Sequence, residues 1–130
     1  MPYAMVRKVT AVWTATSATA SETTGIFTVK KGDRVWGASA NPVRAASVGA
    51  VGTVSLGDGD GVAGYIGTFT PTAAANALGT FIAGAGTFLD ASGGKIYAAD
   101  DTIDVDFIYT SGGVILPRIK FTIYIGRETN

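Results

Sequence analysis

The chain contains no histidine and no cysteine, and only ten of its 130 residues are carboxylates. Each absence removes a class of chemistry. Without His, neither a Ser–His triad nor a His-ligated metal centre can be built. Without Cys, a disulfide framework, a thiol nucleophile and a thiolate metal site all fall away. Charged residues make up 15% of the chain and Gly numbers 18, so helices lack the Glu, Lys, Arg and Gln that sustain them. Ten basic residues offset ten acidic ones, so no net field steers the chain to nucleic acid or to an anionic membrane. That neutrality also gives little protection against self-association, which suits a protein that lives in an assembly. No stretch reaches the ~20 apolar residues of a membrane-spanning helix.

What is present is strand patterning. Ile119, Phe121, Ile123 and Ile125 alternate with Arg118, Lys120, Thr122 and Tyr124. Ile103, Val105, Phe107 and Tyr109 alternate with Thr102, Asp104 and Asp106, with Ile108 the apolar exception on the polar side. With Thr110 to Gly113 as a turn, residues 102–109 and 117–125 read as an antiparallel hairpin. That pairing predicts Asp106 near Lys120 or Thr122.

Elsewhere, Val6 to Thr16 reads as a first strand. Arg7 and Lys8 ahead of Val9 to Ala20 imitate a secretory signal, but Thr10, Thr14, Thr16, Ser17 and Thr19 interrupt its apolar region. The chain is therefore expected to be soluble and used uncleaved, apart from removal of Met1 before Pro2. Ser21 to Gly25 reads as a polar turn and Ile26 to Val29 as a short strand. Lys30 to Asp33 reads as a turn into a strand at Arg34 to Trp36. Segments 49–56 and 62–70 flank a Gly-Asp-Gly-Asp-Gly turn at 57–61. Pro71 to Ala77 is the one helical candidate, and residues 78–95 form a loop around a short strand at Thr87 to Leu89.

About seven to nine short strands without alternating helices predict an all-β fold, an antiparallel β-sandwich or jelly roll with a short helical turn at most. Residues 1–130 form one domain, large enough to bury roughly two thirds of its unfolded surface.

Several motifs invite chemistry and have plainer readings. Gly59 to Gly64 matches G-x-G-x-x-G, but Tyr65 to Thr70 is β-rich where a dinucleotide site needs a helix. Asp58 and Asp60 suggest calcium, yet the twelfth residue from Asp58 is Phe69 where an EF-hand loop has Glu. A tight turn with positive φ at Gly is the better reading, with an adventitious ion left open. Asp104 and Asp106, roughly 7 Å apart along a strand, overlap the carboxylate spacing of inverting glycosidases. A solvated face paired with Lys120 and Arg118 accounts for them better. Tyr65, Tyr97, Tyr109, Tyr124, Trp13 and Trp36 could stack on carbohydrate, but strand-periodic positions favour core or subunit interface. Arg7, Lys8, Arg118, Lys120 and Arg127 form a modest basic patch on the terminal strands, too little for nucleic-acid binding at zero net charge. No catalytic residue, cofactor or metal site is expected.

Gly57 to Gly61 running on through Gly64-Tyr65-Ile66, and Tyr97 to Asp104 followed by the closing hairpin, have a combined likeness. So does the early strand at Val35 after Lys31-Gly32-Asp33. Together they resemble the small virion structural proteins of tailed bacteriophages over about residues 26–125. The resemblance implies a jelly-roll-like capsid decoration (cement) protein, often trimeric, that binds the major capsid protein lattice from the capsid exterior after synthesis in the host cytoplasm. The same similarity admits a tail or head-fibre component, and a carbohydrate-binding module is the rival of another class. An apolar N-terminal arm at residues 1–5, with Met1, Pro2, Tyr3 and Met5, is one candidate partner contact. Leu78, Phe81, Ile82 and Phe88 of the Ala/Gly-rich loop are the other. Both could equally be intramolecular core.

Overall fold

Two apolar rows with period-two spacing must be buried, and the chain buries them by facing two antiparallel sheets. The computed structural model describes residues 3–16, 20–44, 52–71, 80–89, 94–110 and 116–128, those at 3–5 and 128 by backbone alone. The strands are β1 (Tyr3–Thr14), β2 (Glu22–Val29), β3 (Asp33–Arg44), β4 (Gly52–Asp58), β5 (Gly61–Phe69), β6 (Ile82–Ala83), β7 (Lys95–Ile96), β8 (Asp101–Tyr109) and β9 (Arg118–Glu128). One sheet runs β1-β9-β3, with β6 and β7 both on the far edge of β3; the other runs β2-β8-β4-β5. The ladders β1:β9, β2:β8, β3 with β6 and β7, and β4:β5 are nested in sequence and antiparallel. That is a long hairpin wound into two sheets, the connectivity of a jelly roll.

The winding corrects the expected pairing of the last two long strands. β8 pairs with β2 and β4, and β9 with β1 and β3, so they lie in opposite sheets. Alternation fixes which face of a strand is buried but not which strand lies beside it. The predicted faces hold: Ile103, Val105, Phe107, Ile119, Phe121, Ile123 and Ile125 are all buried. Opposite them lie Val54, Leu56, Phe27 and Val29 in one sheet and Val35, Ala38, Ala40 and Trp13 in the other. Asp106 faces Thr23 and Ser55 rather than Lys120, and accepts a 2.9 Å bond from the Thr23 hydroxyl. Lys120 lies between Val12 and Asn41.

Local readings shift as well. Glu22 to Gly25 belong to β2 instead of a turn, because the ladder to β8 supplies partners for their backbone despite the polar side chains. β3 runs on to Arg44 through Pro42, which sits at a ladder irregularity where its missing N–H is tolerated. Lys30 to Asp33 is the expected turn, with Gly32 at φ 93° and the Asp33 amide bonded to the Lys30 carbonyl at 2.9 Å. Thr87–Leu89 is a 3₁₀ turn where a strand was expected. Most of the helical candidate, residues 72–77, lies outside the described residues. No described helix is long and apolar enough to cross a membrane.

The segment from Ile82 to Leu89 joins the two sheets along one side. Ile82 and Ala83 pair with Ala40 and Ser39, the Gly84 amide bonds to Ala38, and the Gly86 amide bonds to Tyr65 of β5. Core truncation and surface truncation should therefore separate cleanly. Phe121→Ala, at a fully buried position, is expected to lower the unfolding free energy by roughly 3–5 kcal/mol in urea titration. Val12→Ala, on the exposed face of β1, should change it by less than about 0.5 kcal/mol.

Candidate functional site

The densest polar arrangement lies where the β4–β5 hairpin meets β7. Asp58 closes β4, and after two intervening residues Gly61 opens β5 opposite it. Gly59 does not take positive φ. The turn is held by the Asp58 side chain, whose Oδ1 accepts the Asp60 amide at 2.9 Å, an Asx-turn. A side chain at Gly57 would collide with the Gly61 carbonyl, so the hairpin closes tightly only with glycine there.

The Asp58 side chain is fully buried and its other oxygen is saturated. Lys95 Nζ lies 2.6 Å from Oδ2 and the Tyr97 hydroxyl donates to the same atom at 2.7 Å. Tyr97 and Tyr65 share a further hydroxyl contact at 2.9 Å. Lys95 also reaches Asp60 at 3.2 Å and sits 3.9 Å over the Phe88 ring. Phe88 stands edge-on to Tyr65 at 5.1 Å and fills the space above Gly64, where any Cβ would strike it. Hairpin, 3₁₀ turn and β7 are thus joined through one carboxylate.

Electrostatics follow from that packing. Burial alone would raise the Asp58 carboxyl, but the bonds from Lys95, Tyr97 and the Asp60 amide outweigh it and hold the group below its ordinary 3.8. Burial would lower the Lys95 ammonium, but its two carboxylate partners prevail and raise it above 10.5. Desolvation pushes both tyrosine hydroxyls well above their ordinary range. An ammonium stands where a cation bridging Asp58 and Asp60 would sit. This is a lock, with no group poised for proton transfer at neutral pH.

The remaining motifs are dispersed. Asp104 and Asp106 lie on the outer face of β8, bonded by the hydroxyls of Thr102 and Thr23 at 2.7 and 2.9 Å. Trp13 is buried against Phe107 at a centroid distance of 5.7 Å and offers no platform for a sugar. Tyr65 and Tyr97 are interior, and Tyr124 is exposed. A cleft of about 410 Å³ opens among Arg7, Thr28, Lys30, Asp33, Ile125, Gly126 and Arg127. Its carboxylate, Asp33, is already paired with Arg127 at 3.0 Å.

With this geometry, comparison with known proteins yields fold relatives. No protein-family model matches the chain, and no curated protein matches it. Among solved structures, a chain of the cyanophage Pam1 capsid asymmetric unit aligns with TM-score 0.61 and 13% identity, over 95% of this chain and 84% of that one. A chain of the acidic stable capsid of Helicobacter pylori bacteriophage KHP30 aligns with TM-score 0.61 and 13% identity, over 93% of each. The likeness is one of fold.

The contact residues suggested by sequence separate into three groups. Phe81 is 66% exposed. Ile82 and Phe88 pack against the core, Ile82 opposite Ala40 and Phe88 over Lys95. Tyr3 and Met5 are placed by backbone in β1, and Met1, Pro2 and Leu78 lie outside the described residues. Lys95 is the member of the lock that sequence reading missed. Its signal was a lone cation after Gly93-Gly94 in a stretch otherwise without basic residues.

Lys95→Met strands a buried carboxylate and should cost roughly 3–5 kcal/mol, part of which Asp58→Asn restores in the same background. The folded Asp58 pKa is depressed, so its contribution is complete above the ordinary carboxylate value and fades as pH falls through the folded one. Lys95 behaves in reverse, its contribution fading as pH rises through a value above 10.5. Tyr97→Phe removes one bond that holds Asp58 low, so the midpoint of acid unfolding should move to higher pH in a circular-dichroism titration.

Proposed function

We propose that this chain is a non-enzymatic structural protein of a tailed-phage virion. Specifically, it is a capsid decoration protein that seats on the outside of the assembled major capsid protein lattice as a homo-oligomer. The observation that carries this reading is the jelly roll itself, aligned over more than nine tenths of the chain with chains of two phage capsid structures. The saturated state of the buried polar cluster supports it, since a lattice component needs a fixed shape and no reactive group. A protein that binds the assembled shell and not its separated subunits stabilises the shell by mass action, so many weak sites suffice.

Phe81 and the N-terminal segment are offered as contacts. Phe81 projects from the start of the strap between the sheets, and residues 3–5 begin the edge strand β1. Removing residues 1–5 leaves the register from Val6 to Thr14 against β9 in place. The truncated chain is expected to fold with a near-native melting temperature and to bind purified capsids more weakly. Undiminished binding would eliminate the arm as a contact. The test of the whole reading is the copy number of the chain in purified particles. A number comparable with the major capsid protein supports the shell role, a handful of copies moves the chain to the tail or a head fibre, and absence from particles removes the virion reading.

A further inference from the structure

A net charge of zero conceals a segregation of charge between the two outer faces of the sandwich. On the β1-β9-β3 sheet, cross-strand register sets Lys8 beside Tyr124, Val12 beside Lys120 and Asn41, and Thr14 beside Arg118 and Arg44. Arg34 shares that face, opposite Gly126. Among the residues whose side chains are described, no Asp or Glu lies on it, and Ser39 and Thr122 at its middle are buried. Lys8, Arg118 and Lys120 are exposed, and none is in an ion pair among those residues. Arg118 even stands directly across from Arg44, a like-charge placement that disfavours the isolated sheet.

The opposite face is the converse. On β2-β8-β4 the outer rows are Thr23, Asp106 and Ser55, then Gly25, Asp104 and Gly57, with Ile108 beside Thr53. Both carboxylates are bonded by hydroxyls, and β2, β8 and β4 contain no Lys or Arg; Lys30, one residue beyond β2, is already paired with Asp100 at 3.6 Å. Gly25 leaves Asp104 open on the β2 side, while on the β4 side the Gly61–Val62 backbone covers Gly57 and Ser55 is buried, its hydroxyl donating to the Val62 carbonyl at 2.9 Å.

The two faces also match in spacing. Arg118 and Lys120 are two positions apart on β9, and Asp104 and Asp106 are two positions apart on β8, each pair spanning roughly 7 Å on the central strand of its sheet. Apolar side chains accompany both pairs, Val12 at 54% exposure next to Lys120 and Ile108 at 51% next to Asp106 along the strand. We propose that copies of this chain dock face to face, the basic outer face of β1-β9-β3 on one copy against the acidic outer face of β2-β8-β4 on the next. The contact is heterologous, so it propagates from copy to copy instead of stopping at a dimer. It is weak between free molecules and is reinforced wherever copies are held side by side. The inference rests on the two faces and stands independently of the virion reading.

The test is sedimentation velocity of the purified full chain across a concentration series at low and high salt. The expected result is a weight-average sedimentation coefficient that rises with concentration at low salt and returns to the monomer value in 1 M NaCl, where screening acts within about 3 Å. Arg118→Glu/Lys120→Glu and Asp104→Lys/Asp106→Lys should each stay monomeric, while an equal mixture of the two variants associates again through the swapped faces. Near-UV circular dichroism checks that each variant is folded, and the salt series on the wild-type chain stands if one is not. A wild-type chain that stays monomeric at every concentration overturns the proposal. So does association that survives both charge reversal and high salt. A monomeric chain whose basic face instead retards duplex DNA in a gel also overturns it, and assigns that face to a polyanion.

Discussion

The fold depends on keeping two apolar rows against one another across a core instead of side by side in one sheet. Ile103, Val105 and Phe107 belong to β8, and Ile119, Phe121, Ile123 and Ile125 belong to β9. Each strand is central in its sheet, so each has a ladder on both edges as well as a buried face. Had the two paired as a hairpin, they would have formed one double-width apolar face with nothing opposite to cover it. Separation into two sheets lets each row cover the other, at the cost of long connections that cross between layers. The nested ladders follow from that choice, because every strand entering one sheet must return beside an earlier one.

Winding the chain this way leaves one side where β3 and β5 would otherwise end as open edges. β6 and β7 pair with β3, and the Gly86 amide bonds to Tyr65 of β5, so the described parts of this segment touch both edges. Short two-residue strands hold such a seam poorly by backbone bonding alone. The Asp58 cluster supplies the missing specificity. Lys95 projects inward from β7, meets a carboxylate at the end of β4, and carries the Phe88 ring that rests on Gly64 of β5. A buried ion pair of this kind adds little net stability over apolar groups of equal volume, yet removing either partner alone leaves an uncompensated charge. Glycines at 64 and 86 are required by the same seam, since a Cβ at 64 would strike Phe88 and one at 86 would strike the backbone at Gly64.

How much of this was legible in the sequence depends on the range of the signal. Strand faces were, because alternation is local: every residue of the inner rows of β8 and β9 up to Phe107 and Ile125 was assigned to the side it occupies. Partner strands were not, since β8 and β9 carry the same pattern and parity cannot distinguish a neighbour in the sheet from one across the core. The Asp58 turn was recognised as a turn, but its mechanism was misread. Asp-Gly suggested a left-handed glycine, whereas the carboxylate itself holds the loop. Lys95 and Tyr97 lie far along the chain from Asp58, and their joining is a tertiary fact with no local trace.

Charge shows the same limit from the other direction. Equal numbers of acidic and basic residues argued against any directed field, and that argument holds at distances beyond the Debye length. It fails at the scale of a contact. Period-two alternation sends every second residue of a strand outward, so the position of a charge along β8 or β9 decides which face of the molecule it occupies. Arg118 and Lys120 fall on the outer positions of one central strand, and Asp104 and Asp106 on those of the other. A sandwich built from such strands is neutral as a whole and polar across its thickness. Neutrality removes the long-range repulsion that keeps identical molecules apart, while the polarity gives a near approach a preferred orientation. Net charge near zero thus lowers the barrier to association, and the charge pattern of the faces decides which association is favoured.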